Sequence, residues 1–180
     1  MKITFGKIER IIILGGSWVT AALLRQLAGR EVEVLLYTSP RHHNEVVDDD
    51  GNTLKQVADR AGVSSVVSKD INNDESIKNA VTDKTLGLAM GAAWIFEPKT
   101  VELFKGPLLD FMGIPLPQYR GGAHYTWQIL AGNKTGACNL QIIHGGEHTF
   151  HKGEIIKRQD YLFPASARKP KDYFSAAIKE

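Results

Sequence analysis

Ile11-Ile12-Ile13-Leu14-Gly15-Gly16-Ser17 is the stretch that decides the fold. Its short, β-branched apolar run reads as a buried strand, and it stops at two glycines and a serine. Val19, Leu23, Leu24 and Leu27 then recur at helical spacing. Strand, tight turn and helix in that order set a unit that the rest of the chain repeats.

Residues 32–37 predict a second strand. Residues 38–51, with Pro40, two adjacent histidines and Asp48-Asp49-Asp50, predict a long surface loop whose aspartates form a solvated turn. Leu54, Val57, Ala58 and Ala61 mark a helix closed by Gly62, followed by a strand at 63–67. The pattern continues with a helix near 74–81, a buried strand at 86–92, a helix at 99–104 and a strand at 108–112. Such alternation predicts an α/β fold, Rossmann-like, with a largely parallel sheet and helices on both faces. Ligands are then expected beyond the carboxyl ends of the strands, in the loops after Leu14, Met90 and Met112. After Trp127 a helix runs to about Gly132, and strands at 137–143 and 153–161 give a mixed or antiparallel second half. Residues 163–180 are expected to wrap the surface and end in a short helix.

A chain of 180 residues, 43% hydrophobic, is long enough for one domain with a sizeable core. With 22 basic and 20 acidic residues and no long run of either sign, composition offers no stripe for nucleic acid. The lone Cys138 lies beside Ala137 and Leu140 and reads as a strand thiol in a reducing compartment. No signal peptide opens the sequence and no apolar run reaches the roughly 18 residues of a membrane span, so a cytoplasmic protein without membrane partners is expected.

Gly15, Gly16 and Ser17 can turn amides and a hydroxyl toward an anion at a helix amino end, or Ser17 can simply cap the helix. A dinucleotide fingerprint is missing its third glycine, and Tyr37-Thr38-Ser39 stands where an acidic ribose partner belongs, which makes an NAD-dependent dehydrogenase a weak competitor. His144-Gly145-Gly146-Glu147-His148 has the spacing of an inverted zinc-protease motif. Two glycines after a strand-like run oppose the helix it requires, at a cost of about 2 kcal/mol relative to alanine. His124, His148 and His151 lack diagnostic metal spacing, and no metal is expected. Pro115-Leu116-Pro117-Gln118-Tyr119-Arg120-Gly121-Gly122 combines fixed torsions, permissive glycines and a guanidinium fork. That is the composition of a shaped binding loop, or of a tight crossover into the next helix.

Three segments together resemble the formyltransferase family that includes methionyl-tRNA formyltransferase, glycinamide ribonucleotide formyltransferase and the sugar N-formyltransferases. Ala93-Trp94-Ile95-Phe96-Glu97-Pro98-Lys99 is similar to the segment running into an I-x-P-K helix start, Leu116 to Gly121 to L-P-x-Y-R-G, and Gly153-Glu154-Ile155 to G-D-I. Trp127, Leu130, Gly132-Asn133 and Thr135-Gly136 continue the resemblance in order. It implies a single formyltransferase-like domain over residues 1–180 and 10-formyltetrahydrofolate as cosubstrate. The acceptor implied is a small-molecule amine, such as an amino sugar on a sugar nucleotide. Trp127, and the lack here of the separate carboxy-terminal domain of the tRNA enzymes, argue against a tRNA acceptor; a homodimer is left open.

In that family an amine attacks the formyl carbon, an Asn-x-His strand end stabilises the oxyanion, and an aspartate in a D-x-G loop supports proton transfer. The resemblance puts these catalytic positions on Asp110, Met112 and His151, with His148 as an alternative to the last. An ionised Asp110 repels an oxyanion and Met112 donates nothing. Each lost donor typically costs ~10²–10³ in rate. Either a histidine, His151 or His148, oriented by Asp110, rebuilds the site, or the pocket persists as a non-catalytic folate- or nucleotide-binding module, a pseudoenzyme, or a partner-binding surface. The bland alternative has Met112 filling the core and Asp110 capping a turn. The cosubstrate is expected against Ala89, Met90, Gly91, Ala92, Trp94, Leu116, Gly146 and His148. The acceptor is expected against Gly15, Gly16, Ser17, Arg120, Gly121, Gly122 and His124.

Overall fold

The computed structural model describes residues 3–121, 123–149 and 151–179. Strands β1 (Arg10–Gly15), β2 (Glu33–Thr38), β3 (Ser64–Val67), β4 (Thr85–Met90), β5 (Leu109–Met112), β6 (Thr135–Ile142) and β7 (Ile155–Leu162) form one sheet in the order β3-β2-β1-β4-β5-β6-β7. The first five are parallel, and β6 and β7 are added antiparallel. The helices are α1 (Trp18–Leu27), α2 (Pro40–His43), α3 (Leu54–Arg60), α4 (Glu75–Ala80), α5 (Pro98–Val101), α6 (His124–Leu130) and α7 (Pro170–Ala177). The expected α/β architecture is present. The strand order reverses between β1 and β4, and that switch point opens a crevice at the carboxyl ends of the parallel strands.

Alternation along β1 divides the core between the two faces. Ile12 and Leu14 pack with Tyr37, Phe96, Phe104 and Leu108, whereas Ile13 packs with Ala21 and Leu24 of α1 and with Leu54, Val57 and Ala58 of α3. Ile12, Ile13 and Leu14 are fully buried, worth roughly 1.5–3 kcal/mol for each side chain. Gly15 closes the strand at φ 143°, and a Cβ there would lie 2.2 Å from the Met90 carbonyl oxygen. Only glycine lets the β1–α1 turn press on the end of β4, where Gly16 N donates to Met90 O at 3.1 Å. The Ser17 hydroxyl caps α1, accepting from Thr20 N at 3.2 Å.

Residues 38–51 depart from the expected surface loop. Ser39 caps the short helix α2, and His42 and Val47 are buried, because the α2 segment covers Gly16 and Leu54. The aspartate turn is organised by Asp48, which accepts from Asn52 and pairs with Arg25. The tail after β7 ends in α7 and carries its own aromatic cluster, in which Phe163, Ala167 and Tyr173 are buried. Tyr173 donates to Asn133 O at 2.8 Å, and Phe174 meets Trp18 edge-on at 6.0 Å, tying the tail to the turn after α6 and to α1.

Candidate functional site

A cavity of about 320 Å³ opens at the carboxyl end of β4 and β5. Asp110 and Met112, two residues apart on β5, point to the same side of the sheet and line it. Across the antiparallel pair Asp110 faces Gln141 and Met112 faces Asn139. Gln141 is buried and donates from Nε2 to Asp110 Oδ2 at 3.1 Å. Burial raises the Asp110 carboxyl to about 6, against the lowering effect of that hydrogen bond. The expectation of an ordinary ionised carboxylate is thereby revised: Asp110 is charged at neutral pH but takes a proton within a unit or so of it.

Two loops wall the cavity. The first, after β4, is held by Asn72 in the 3-10 turn Ile71–Asn73: its side chain donates to Ile95 O at 3.0 Å and accepts from Glu97 N at 2.9 Å and Thr100 Oγ1 at 2.8 Å. Trp94 Nε1 donates to Lys69 O at 3.3 Å. The second follows β6. Gly146 N donates to Phe96 O at 2.7 Å, joining the two walls, and the Thr149 hydroxyl donates to Gly145 O at 2.7 Å. This loop returns over Gly153, where a Cβ would lie 1.6 Å from Ile142 O, so the closing turn requires glycine by contact.

Two imidazoles complete the lining. His124 opens α6 and His151 stands at φ 53° in the second loop. Burial, with the neighbouring His151, lowers His124 to about 4; burial and the nearby Arg120 lower His151. Both rings are therefore neutral around pH 7, and the Asp110 carboxyl changes its charge closer to that pH than an ordinary aspartate does.

The structure brings Asp110, Met112, His124, His151, Gly91, Ala92, Trp94, Gly121 and Gly146 to one cavity. Ala89, Met90 and Leu116 are buried, and among the described lining residues they are absent. Leu116 precedes a cis proline, and its carbonyl accepts from Arg158. Gly15, Gly16 and Ser17 lie just outside: a Cβ on Gly91 would sit 3.2 Å from Gly16 O and 3.3 Å from Ser17 Cβ. Arg120 stands beside His151 without lining the cavity, and His148, in the 3-10 turn Glu147–Thr149, does not line it either. Gly122 lies outside the described residues. The segment 144–148 is not the helix of a zinc protease, and His144 pairs with Glu154 at 2.6 Å. Among the described residues no three His, Cys, Asp or Glu side chains gather as a metal site.

Sequence reasoning missed Gln141 and the apolar walls Phe96 and Ile143. Gln141 left a signal: Asn139 and Gln141 are polar at alternate positions of a strand whose same-face neighbour Ala137 is buried, and a polar pair on a buried face needs a reason.

The donor set suits a bicyclic, hydrogen-bonding ligand. Trp94, Ile95, Phe96 and Ile143 supply apolar walls, and Gln141 Oε1 is a buried acceptor without a hydrogen-bond partner among the described residues. The volume is at the lower end of the ~300–1,000 Å³ usual for small-molecule sites. Apolar walls and a buried amide acceptor suit a flat ring system that carries hydrogen-bond donors, which is the chemistry of a pterin.

No protein-family model matches the sequence, and no curated protein matches it. Solved structures do. The sugar 3-N-formyltransferase WlaRD, determined with dTDP and 5-N-formyl-THF, is 18% identical with a TM-score of 0.70, covering 97% of this chain and 59% of its own. The N-formyltransferase from Helicobacter canadensis, in complex with folinic acid and dTDP-3-aminofucose, is 16% identical with a TM-score of 0.69, over 96% of this chain and 59% of its own. Phosphoribosylglycinamide formyltransferase from Brucella melitensis is 17% identical with a TM-score of 0.67, over 96% and 89%. The chain thus spans 59% of the length of the two sugar N-formyltransferases. Its architecture is the formyltransferase fold.

Proposed function

We propose that this protein binds a folate formyl donor in the cavity and transfers the formyl group to the amine of a small molecule, at a site rebuilt around Asp110 and histidines in place of the usual Asn, His and Asp. The observation that carries the proposal is the convergence of Asp110, His124 and His151 on one cavity at the carboxyl ends of β4 and β5 in a formyltransferase fold. A carboxylate whose proton affinity has been raised toward neutrality is a competent general base for the proton that an attacking amine gives up as its bond to the formyl carbon forms. Asp110 takes that role, and Gln141 holds its carboxylate in place. The acceptor reaches the cavity past Gly91 and the Gly15 to Ser17 turn. A sugar nucleotide is the acceptor class favoured, since WlaRD and the Helicobacter canadensis enzyme were solved with dTDP or a dTDP sugar.

Met112 supports a second reading. A thioether at the lining gives a developing oxyanion nothing, so the transfer is slow relative to a complete site, or the cavity serves as a folate-binding module without turnover. Calorimetry with 5-formyltetrahydrofolate, followed by single-turnover transfer from 10-formyltetrahydrofolate to a dTDP-amino sugar, separates the cases. Binding with transfer is expected. Binding without transfer to any amine leaves the module, and absence of binding overturns both.

A further inference from the structure

His124 is linked to an amide relay that fixes which of its nitrogens carries the proton. Asn133 Nδ2 donates to Thr135 O at 2.7 Å while Thr135 N donates to Asn133 Oδ1 at 3.3 Å, so the amide's orientation is set by two backbone groups. The same Nδ2 donates to Gln128 Oε1 at 2.9 Å. Gln128 is fully buried on α6, and with its oxygen accepting, its Nε2 faces His124 Nδ1 at 3.3 Å. An amide nitrogen donates and does not accept. His124 Nδ1 must therefore be the acceptor, and the ring's single proton sits on Nε2.

That leaves Nε2–H as the ring's remaining polar group, in a side chain that lines the cavity. Besides the His151 ring, the other side-chain donors on the lining are engaged: Trp94 Nε1 with Lys69 O, the Thr149 hydroxyl with Gly145 O, and Gln141 Nε2 with Asp110. Met112 has none to offer.

We propose that His124 Nε2–H is the hydrogen-bond donor this site presents to the formyl oxygen, and that Gln128 and Asn133 are positioning residues that fix its tautomer. The inference rests on the formyl-transfer reading. In the reaction the acceptor nitrogen forms a bond to the formyl carbon and the bond from that carbon to the donor nitrogen breaks. The proton released by the acceptor amine ends on the donor nitrogen, and the charge that passes through the formyl oxygen is what a neutral N–H can stabilise without itself losing a proton. A histidine kept neutral suits this, because it donates without titrating near pH 7.

The test uses the full chain and the stable analogue 10-formyl-5,8-dideazafolate carrying ¹³C at the formyl carbon. Nitrogen-15 spectra of the histidine-labelled protein are expected to show His124 as the Nε2–H tautomer, and Gln128→Leu to give a tautomer mixture while remaining folded by circular dichroism. Infrared difference spectra are expected to show a lower formyl stretch bound to the native protein than to His124→Phe, with single-turnover transfer falling by roughly 10²–10³-fold in that variant. Should His124→Phe not fold, His124→Asn, which keeps a side-chain N–H, is expected to retain part of the infrared shift, and the native tautomer measurement needs no variant. An Nδ1–H tautomer, or analogue bound with the same stretch in native and variant protein, overturns the proposal and leaves the formyl-transfer reading standing. Failure of the analogue to bind at all overturns that reading and this proposal with it.

Discussion

Gln141 Nε2 donates to Asp110 Oδ2 at 3.1 Å across the antiparallel β5–β6 pair, so a carboxylate on the cavity lining is held by a buried amide. The bond favours the charged form while burial disfavours it, and burial is the larger effect. Removing the donor should therefore push the carboxyl further up. Gln141→Leu is expected to move the Asp110 midpoint above its native value near 6, followed by the carbon-13 shift of its side-chain carboxyl during a pH titration. A midpoint that stays put or falls would remove the amide from any account of Asp110.

The pH dependence of stability carries two opposed contributions from the same cavity. Asp110 is raised on folding from 3.8 to about 6, so the native state binds the extra proton between those values. Its contribution is fully present below about 3.8 and lost as pH rises through 6. His124 is lowered from 6.5 to about 4, so its contribution is present above about 6.5 and lost as pH falls through 4. Each shift corresponds to at most about 3 kcal/mol, and between pH 4 and 6.5 they largely cancel. His42 and His151, both lowered, act in the direction of His124. Asp110→Asn should thus lose more stability than the native protein on going from pH 7 to 4.5, and His124→Gln less, in urea midpoints. Parallel curves for all three proteins would refute the opposition.

How much of this was legible in the sequence follows from which signals are local. Ile11 to Ser17 announced strand, turn and helix because β-branched burial and glycine geometry are local properties, and the alternation that follows carries the parallel sheet with it. Residues 38–51 misled, since polar composition reads as loop; His42 and Val47 are buried only because α1, α2 and α3 meet there. Asp110 and Met112 are legible as site positions only through the resemblance, which fixes their place along the chain. The proton affinity of Asp110 was not legible, since it depends on burial beneath two loops and on a partner 31 residues away. The Gln128 relay was invisible for a related reason: a glutamine in a helix reads as surface until tertiary packing buries it.

Met112 sets the rate of the proposed transfer. Met112→His places on β5, two residues from the general base Asp110, the residue type that the resemblance to formyltransferases implies at that position. Asp110 keeps its hydrogen bond from Gln141, so the register of β5 and β6 should survive. Single-turnover transfer is expected to rise by at least about tenfold, within the ~10²–10³ attributed to one oxyanion donor. An unchanged rate would mean that Met112 does not limit the reaction.

Asn72 governs the shape of the cavity without lining it. Its one side chain satisfies Ile95 O, Glu97 N and Thr100 Oγ1, and Thr100 is buried, so alanine there strands three groups at once. Leaving buried polar groups unpaired costs about 1–3 kcal/mol apiece, reduced here because the Ile95 and Glu97 groups lie where water can reach them. Asn72→Ala is expected to destabilise the protein by about 1–3 kcal/mol in denaturant titration. Its sharper effect should be local. Residues 94–98 carry Phe96, whose carbonyl accepts from Gly146 N, so loosening one wall releases the other. Amide hydrogen exchange should accelerate at both 94–98 and 145–149, and folate-analogue affinity should fall while the exchange of β1 and β2 stays at native rates. Acceleration confined to 94–98 would show that the two walls are not coupled through Gly146.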